Sequence, residues 1–139
     1  MQAVILAGGK GTRLRPYTTV LPKPLMPIGD MPIIEIVLRQ LKLAGFDSVI
    51  LAVGYMHHLF ESFFQDGARY GLDITYSFED EPLGTAGPLA LVLDRLEDNF
   101  LVMNGDLLTT LNYRGLFDNH LQSKSAATIA LHRRTVKID

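Results

Sequence analysis

Cysteine is absent from this chain of 139 residues, and no long run of apolar residues interrupts it. Without cysteine, the chain can form neither a disulfide framework nor a thiolate metal site. No apolar run approaches the roughly 20 residues that a membrane-spanning helix needs. A strand-like run follows Met1 almost at once, so we expect no signal peptide and take the cytoplasm as the default location.

Excess charge of either sign is also lacking. The chain has 13 Lys and Arg residues against 15 Asp and Glu, which gives a net charge of −2. This balance predicts neither nucleic acid nor a membrane surface as a partner. Apolar residues make up 47% and charged residues 20%, as in an ordinary soluble domain that can bury one core.

Glycine and positive charge, by contrast, are concentrated near the start. Residues 3–7 have the pattern of a buried strand, and Gly8, Gly9 and Gly11 follow it directly. Glycine has no Cβ, so backbone N–H groups can come close to an anion there. Three basic side chains follow, namely Arg13, Arg15 and Lys23. A turn alone would not need three glycines in four positions, so the pattern favours a phosphate-binding loop at the end of a strand.

This loop matches neither of the two common phosphate loops. A Walker A loop has Gly-Lys-Ser/Thr at its end, whereas here Lys10 precedes Gly11. A dinucleotide fingerprint would need glycine in place of Leu14 and a helix that begins inside the motif. Pro16 and the prolines after it argue against such a helix. We therefore expect a long loop that wraps a triphosphate with extended backbone.

Four ordered motifs together resemble the signature of sugar nucleotidyltransferases, also called nucleoside-diphosphate-sugar pyrophosphorylases. They lie at residues 6–16, 21–27, 81–88 and 102–106. The resemblance therefore covers the chain from its start to about residue 106. The sequence at 79–91 is most similar to mannose-1-phosphate guanylyltransferases.

Strand-like and helix-like patterns alternate along the chain. This alternation predicts an α/β fold with a Rossmann-like, mostly parallel sheet and helices on both faces. A helix is expected at 85–96 and a last strand at 126–131. The resemblance implies a truncated fold of the nucleotide-diphospho-sugar transferase type. Residues 1–139 would be its N-terminal nucleotide-binding part, without the C-terminal sugar-binding part, and the open sheet edge predicts a homo-oligomer.

The resemblance also implies a set of nucleotide contacts in the first and third motifs. These residues are Leu6, Ala7, Gly8, Gly9, Gly11, Thr12, Arg13, Gly84 and Thr85. Arg13 is expected to be catalytic, through its grip on the leaving pyrophosphate. Thr85 has a second interpretation as the cap of the following helix.

Lys23 stands between Pro22 and Pro24, which restrict the backbone on both sides. A stiff backbone lowers the entropy cost of aiming a flexible ammonium group at phosphate. A lysine in a loop is more commonly solvated, but the stiff setting and the resemblance favour a catalytic role near the α-phosphate.

Asp106 follows an apolar strand and the dipeptide Asn104-Gly105. Mg²⁺ is held in proteins by one or two carboxylates together with substrate phosphates and water. Spacing alone is equally consistent with a simple turn. The resemblance implies that Asp106 is a metal ligand and that Mg²⁺ is the cofactor.

Glu79 lies five residues before Gly84. At that distance, similar enzymes that use uridine or thymidine nucleotides commonly carry a glutamine. An ionised glutamate only accepts hydrogen bonds, and guanine presents two adjacent donors. Glu79 therefore favours GTP, although it could also belong to an acidic surface loop with Asp80 and Glu81.

The function that the resemblance implies is transfer of a nucleotidyl group from a nucleoside triphosphate to a sugar 1-phosphate. GTP and mannose 1-phosphate are the favoured substrates, and pyrophosphate is the second product. Three alternatives stay open: a non-catalytic nucleotide-binding or regulatory subunit, uridylyl or thymidylyl transfer, and an unrelated flavodoxin-like or Rossmann-like binder. The failed dinucleotide fingerprint disfavours the last.

Overall fold

A parallel sheet of four strands forms the centre of the computed structural model, which describes residues 1–9, 11–81 and 83–133. Lys10 and Pro82, which belong to the first and third motifs, lie outside the described residues. The strands of this sheet are β1 (Gln2–Leu6), β4 (Ser48–Val53), β5 (Asp73–Phe78) and β6 (Phe100–Asn104). A separate antiparallel pair consists of β2 (Pro27–Ile28) and β3 (Met31–Pro32). The predicted mostly parallel sheet is confirmed.

Helices of very different length accompany the strands. The α-helices of the described residues are α1 (Ile33–Leu43), α2 (His57–Phe64), α3 (Gly87–Ala90) and α4 (Tyr113–Ser123). Short 3₁₀ turns lie at Thr12–Leu14, Tyr17–Thr19, Lys23–Leu25, Ala68–Tyr70 and Leu93–Arg95. None of the helices described is both long and apolar enough to cross a bilayer.

The order of the sheet, β5-β4-β1-β6, contains a reversal. The chain runs outward from β1 through β4 to β5, and then crosses back to β6 on the opposite side of β1. Leu6 pairs with Ala52 of β4 and with Asn104 of β6, so the carboxyl ends of these strands lie at one edge. Such a reversal is a topological switch point, and α/β sheets bind ligands in the crevice beside it.

Both faces of the sheet are covered by buried side chains. Because successive residues of a strand point to opposite sides, one strand contributes to both clusters. Ala3 and Ile5 of β1 belong to the main core cluster, and Val4 belongs to a smaller cluster with Ile50 and Val92. The main cluster includes a row of α1 residues at helical spacing, namely Ile34, Val37, Leu38 and Leu41. The prediction of helices on both faces is confirmed, with the larger core on the α1 side.

The predicted helix at 85–96 is wrong in extent. The structure has only the single turn α3 and the 3₁₀ turn Leu93–Arg95. Val92, between them, leaves the helical region with φ −126° and is fully buried against Val4 and Ile50. Leu89, Val92 and Leu96 have the spacing of one helix face and all contact this smaller cluster, so the apolar face is present while the helix is interrupted at Val92.

The predicted strand at 126–131 is also wrong. These residues carry no strand, and Ile129 and Leu131 are 77% and 90% exposed. A strand needs a neighbour with which to exchange backbone hydrogen bonds. In the part of the chain that is described, β6 is an edge strand and residues 126–131 do not pair with it. Alternating apolar residues alone therefore did not decide the conformation.

Candidate active site

A cleft of about 660 Å³ opens at the switch point, above the carboxyl ends of β1 and β6. Every residue that the sequence predicts for the site lines this cleft, except Thr12. Thr12 lies in the first 3₁₀ turn and is exposed. Four residues that sequence reasoning missed also line the cleft, namely Leu14, Pro24, Pro88 and Asn104. The four motifs thus converge on one place in the fold.

The glycines after β1 serve different purposes. Gly11 has φ +57°, a left-handed conformation, and a Cβ there would come within 2.9 Å of Thr18 Cγ2. At Gly8, a Cβ would come within 2.3 Å of Glu79 Oε1. At Gly9, a Cβ would meet no atom within 4 Å, so this backbone is open to a ligand.

The loop after Gly11 differs from the expected extended backbone. Three successive 3₁₀ turns, Thr12–Leu14, Tyr17–Thr19 and Lys23–Leu25, fold it back on itself. Buried Thr18 donates a hydrogen bond from Oγ1 to the carbonyl oxygen of Gly11 at 2.9 Å. Thr18 therefore supports the glycine loop, and its place in a proline-flanked polar run was the only sequence signal for it. The expected absence of an α-helix opening inside the motif is confirmed for its described residues.

Lys23 and Asp106 meet across the cleft. Lys23 Nζ donates to Asp106 Oδ2 at 2.6 Å, and the two side chains are 39% and 30% exposed. Pro24 and Leu25 are buried beside Lys23, which anchors its turn to the core. On the other side, Gly105 N donates to Leu6 O at 2.9 Å, so the loop that carries Asp106 stays attached to β1. A predicted phosphate-binding cation and a predicted metal ligand are therefore neighbours.

The side chains around Asp106 suit a Mg²⁺ ion that is coordinated mainly by the phosphates of a bound nucleotide. Asp106 supplies one hard carboxylate oxygen donor, and Asn104 lines the cleft nearby. No group of three or more His, Cys, Asp or Glu residues that could hold a metal occurs among the residues described. A preformed all-protein cage is therefore not present there, whereas one carboxylate together with substrate phosphates and water is a usual environment for Mg²⁺.

Glu79 directly follows β5 and lies between two clefts. Its backbone N–H donates to Val53 O at 2.9 Å, and its carboxylate oxygen Oε2 accepts a hydrogen bond from Leu83 N at 3.1 Å. A second cleft, of about 380 Å³, shares Gly8 and Glu79 with the first. Its other lining residues are Gly54, Tyr55, Met56, His57, His58 and Asp80. The Glu79 carboxylate is thus held by Leu83 N at the junction of the two clefts, while Asp80 and Glu81 beside it are exposed.

Gly84 and Thr85 form the wall of the cleft that leads into α3. Gly84 has φ +77°, and no atom lies within 4 Å of where its Cβ would stand. The interpretation of Thr85 as a helix cap is wrong, because the N-cap is Ala86 and no side chain caps this helix. Small residues leave this wall open toward the cleft.

The fold and the cleft define an α/β protein with a ligand-sized cleft at the switch point of its sheet, and comparison with known proteins names the family. Residues 2–137 match the family model described as nucleotidyl transferase, so the chain belongs to this family. The expected family resemblance is confirmed.

Individual relatives cover nearly all of this chain. It is 41% identical over 133 residues to the D-glycero-alpha-D-manno-heptose 1-phosphate guanylyltransferase of Aneurinibacillus thermoaerophilus, covering 94% of this chain and 57% of the relative. It is also 41% identical over 134 residues to the mannose-1-phosphate guanylyltransferase of Mycobacterium tuberculosis, covering 96% and 37%. The chain therefore spans less than two thirds of the length of these relatives.

Solved structures give the same fold. The crystal structure of HddC from Yersinia pseudotuberculosis complexed with GMP-PN superposes with a TM-score of 0.77 at 30% identity, covering 86% of this chain and 54% of that one. Proteins named as uridylyltransferases and thymidylyltransferases match as well. Membership in the family is thus shown, whereas the base and the sugar differ among its matching members.

Proposed function

We propose that this chain is the nucleotide-binding part of an enzyme that transfers a nucleotidyl group from a nucleoside triphosphate to a sugar 1-phosphate. The observation that carries the proposal is the convergence of the glycine loop, Lys23, Asp106 and Glu79 on one cleft at the switch point. A loop that only bridged two elements would not need a cation, a carboxylate and an open glycine backbone directed to the same space.

The reaction requires alignment and charge neutralisation, and no covalent enzyme intermediate. An oxygen of the sugar 1-phosphate forms a bond to the α-phosphorus. The bond from that phosphorus to the bridging oxygen breaks, and this oxygen leaves with its electron pair as pyrophosphate. The open backbone at Gly9 and the side chain of Arg13 would hold the triphosphate. Lys23 would stabilise the charge around the α-phosphate.

Mg²⁺ is part of this proposal as the cofactor held by Asp106. When bound, the ion would neutralise charge on the phosphate oxygens. Lys23 Nζ lies 2.6 Å from the same carboxylate, so the ion would replace the ammonium at that oxygen and leave the ammonium free to contact phosphate.

Guanylyl transfer is the favoured form of the reaction. The Glu79 carboxylate offers acceptors only, which suits the two adjacent donors of guanine. The names of the two relatives above, both guanylyltransferases of manno-configured sugar 1-phosphates, support GTP and mannose 1-phosphate. Uridylyl or thymidylyl transfer is the second candidate, because proteins named for these activities match too.

The test is a calorimetric titration of the chain with GTP, UTP, dTTP, CTP and ATP, with and without Mg²⁺. We expect GTP to bind most tightly and Mg²⁺ to strengthen binding. Glu79→Gln should lower the preference for GTP over UTP about tenfold or more, since a hydrogen bond to a charged group contributes about 1.5–3 kcal/mol. Glu81→Gln makes the same chemical change in the same loop, outside the lining of the cleft, and should leave the preference unchanged.

Equal affinity for GTP and UTP would contradict guanylyl transfer while leaving nucleotidyl transfer intact. Absence of binding by every nucleotide would contradict the proposed role of this chain.

A further inference from the structure

We infer that Gly8 is a positioning residue that sets the orientation of the Glu79 carboxylate and, through it, the base preference of the cleft. The inference rests on the proposed role of Glu79 as the group that reads the base. In this inference, the lack of a side chain at Gly8 serves selection of the base, a role distinct from binding of the phosphates.

The space next to Gly8 is occupied by Glu79. A Cβ on Gly8 would stand 2.3 Å from Glu79 Oε1 and 3.2 Å from Glu79 Cδ. Real Cβ atoms do not come that close to another heavy atom, so any larger residue at position 8 must displace the carboxylate.

The backbone near Gly8 has little room to yield instead. A Cβ on Gly54 would meet the carbonyl oxygen of Gly8 at 3.2 Å and its Cα at 3.5 Å. The chain after β1 and the chain after β4 thus approach each other closely at Gly8 and Gly54. The atoms in conflict on the other side belong to the far end of a flexible side chain, so Glu79 is the group that moves.

Movement of the carboxylate would break a specific contact. Glu79 Oε2 accepts a hydrogen bond from Leu83 N at 3.1 Å, while Oε1 lies against Gly8. The Leu83 N–H therefore fixes one oxygen, and the other oxygen occupies the space that a side chain at position 8 would fill. A group that reads two adjacent donors on a base depends on such alignment.

Gly9 offers a control within the same loop. It is the next residue, it lines the same cleft, and its Cβ would meet no atom within 4 Å. Gly8→Ala and Gly9→Ala are chemically identical substitutions, yet only the first should displace Glu79. A general effect on phosphate binding would change the affinity for all triphosphates alike and would leave their ratio unchanged.

The experiment compares wild type, Gly8→Ala, Gly9→Ala, Glu79→Gln and Glu79→Ala in the 139-residue chain by two measurements. The first is the ratio of dissociation constants for UTP and GTP. We expect Gly8→Ala to lower this ratio about tenfold, as Glu79→Gln does. The variant with both changes should show no further loss, whereas Gly9→Ala should keep the wild-type ratio.

The second measurement is the amide proton shift of Leu83 by NMR. Loss of its hydrogen bond should move this signal upfield in Gly8→Ala and in Glu79→Ala, and not in Gly9→Ala. An unchanged Leu83 signal in Gly8→Ala would overturn the inference whatever the base preference is. A moved Leu83 signal with no GTP preference in the wild type would instead overturn the proposed base assignment.

Folding is controlled through a compensating variant. If Gly8→Ala alone lowers the melting temperature strongly, Gly8→Ala combined with Glu79→Ala should recover most of the loss, because the clashing carboxylate is gone. Absence of that recovery would show that the methyl group conflicts with something other than Glu79, and the inference would fall.

Discussion

Lys23 and Asp106 lie 83 positions apart in the sequence and meet at 2.6 Å. An ammonium at this distance competes with a divalent cation for the same carboxylate oxygen. It also offsets the repulsion between the negative carboxylate and the negative phosphates of a bound nucleotide. The two residues therefore form an electrostatic unit, and changes to them should have different signatures.

Asp106→Asn should abolish the strengthening of nucleotide binding by Mg²⁺ and change binding without Mg²⁺ much less. The amide keeps the size of the side chain but loses the negative charge that attracts the metal. Lys23→Met should weaken nucleotide binding about tenfold or more both with and without Mg²⁺, because it removes a charge-assisted contact to phosphate. Calorimetric titration of each variant with GTP measures both effects.

The control for these variants is Asp118→Asn. Asp118 accepts from Arg114 Nε at 2.9 Å in an exposed ion pair on α4, which does not line the cleft. An exposed ion pair contributes about 0.2–1 kcal/mol to the free energy of unfolding, so the fold should persist. Nucleotide binding should not change, because the pair lies outside the cleft. A Mg²⁺ effect that persists in Asp106→Asn would contradict the proposed metal site.

At the scale of elements, the turn between α2 and β5 is under tighter constraint than the turn between β2 and β3. Gly67 and Gly29 both have left-handed backbones, with φ +82° and +65°. A Cβ on Gly67 would stand 2.5 Å from Ile74 Cγ1 and 2.7 Å from the Leu72 carbonyl oxygen, whereas one on Gly29 would meet nothing within 4 Å. Alanine substitutions at Gly29 and Gly67 therefore distinguish the cost of a left-handed backbone, which both share, from the cost of a steric clash, which only Gly67 has.

Gly29→Ala should lower the free energy of unfolding by about 1–2 kcal/mol, the cost of a left-handed L-residue. Gly67→Ala should cost about 1–3 kcal/mol more, because overpacking adds to the same strain. Urea unfolding followed by circular dichroism measures both. Equal losses in the two variants would contradict the tight packing of this turn against β5.

At the scale of the whole molecule, the outer edge of β6 is one of two open strand edges of the described sheet, the other being β5. β6 is an edge strand of the described sheet, and apolar residues in it and directly after it are exposed: Val102, Leu107 and Leu108. Unpaired strand edges and contiguous apolar surface both favour association. The homo-oligomer expected from the sequence therefore stays a prediction, now with a defined surface.

Light scattering should show an apparent mass that rises with protein concentration. Val102→Lys should reduce this rise, because a charge on the exposed face of an edge strand opposes pairing between chains. Leu43→Lys introduces the same charge at the end of α1, where the side chain is 89% exposed, and should leave association unchanged. A mass equal to one chain at all concentrations would contradict the prediction.

The sequence by itself determined the parallel α/β class and the elements with strong periodic patterns. The burial of β1 and β4, and the apolar stripe of α1, follow from local residue order, because strand and helix periods are visible within a few residues. The motifs and the family resemblance that they carry also identified most of the residues that line the cleft, although Leu14, Pro24, Pro88 and Asn104 were missed.

Only the tertiary structure decided matters that depend on contacts between distant residues. The helix predicted at 85–96 is interrupted at Val92, and residues 126–131 pair with no strand of the described sheet. The pairing of Lys23 with Asp106 and the closeness of Glu79 to Gly8 arise where the segments that follow β1, β5 and β6 meet around one cleft. Local patterns do not contain these distances, because long-range packing sets them.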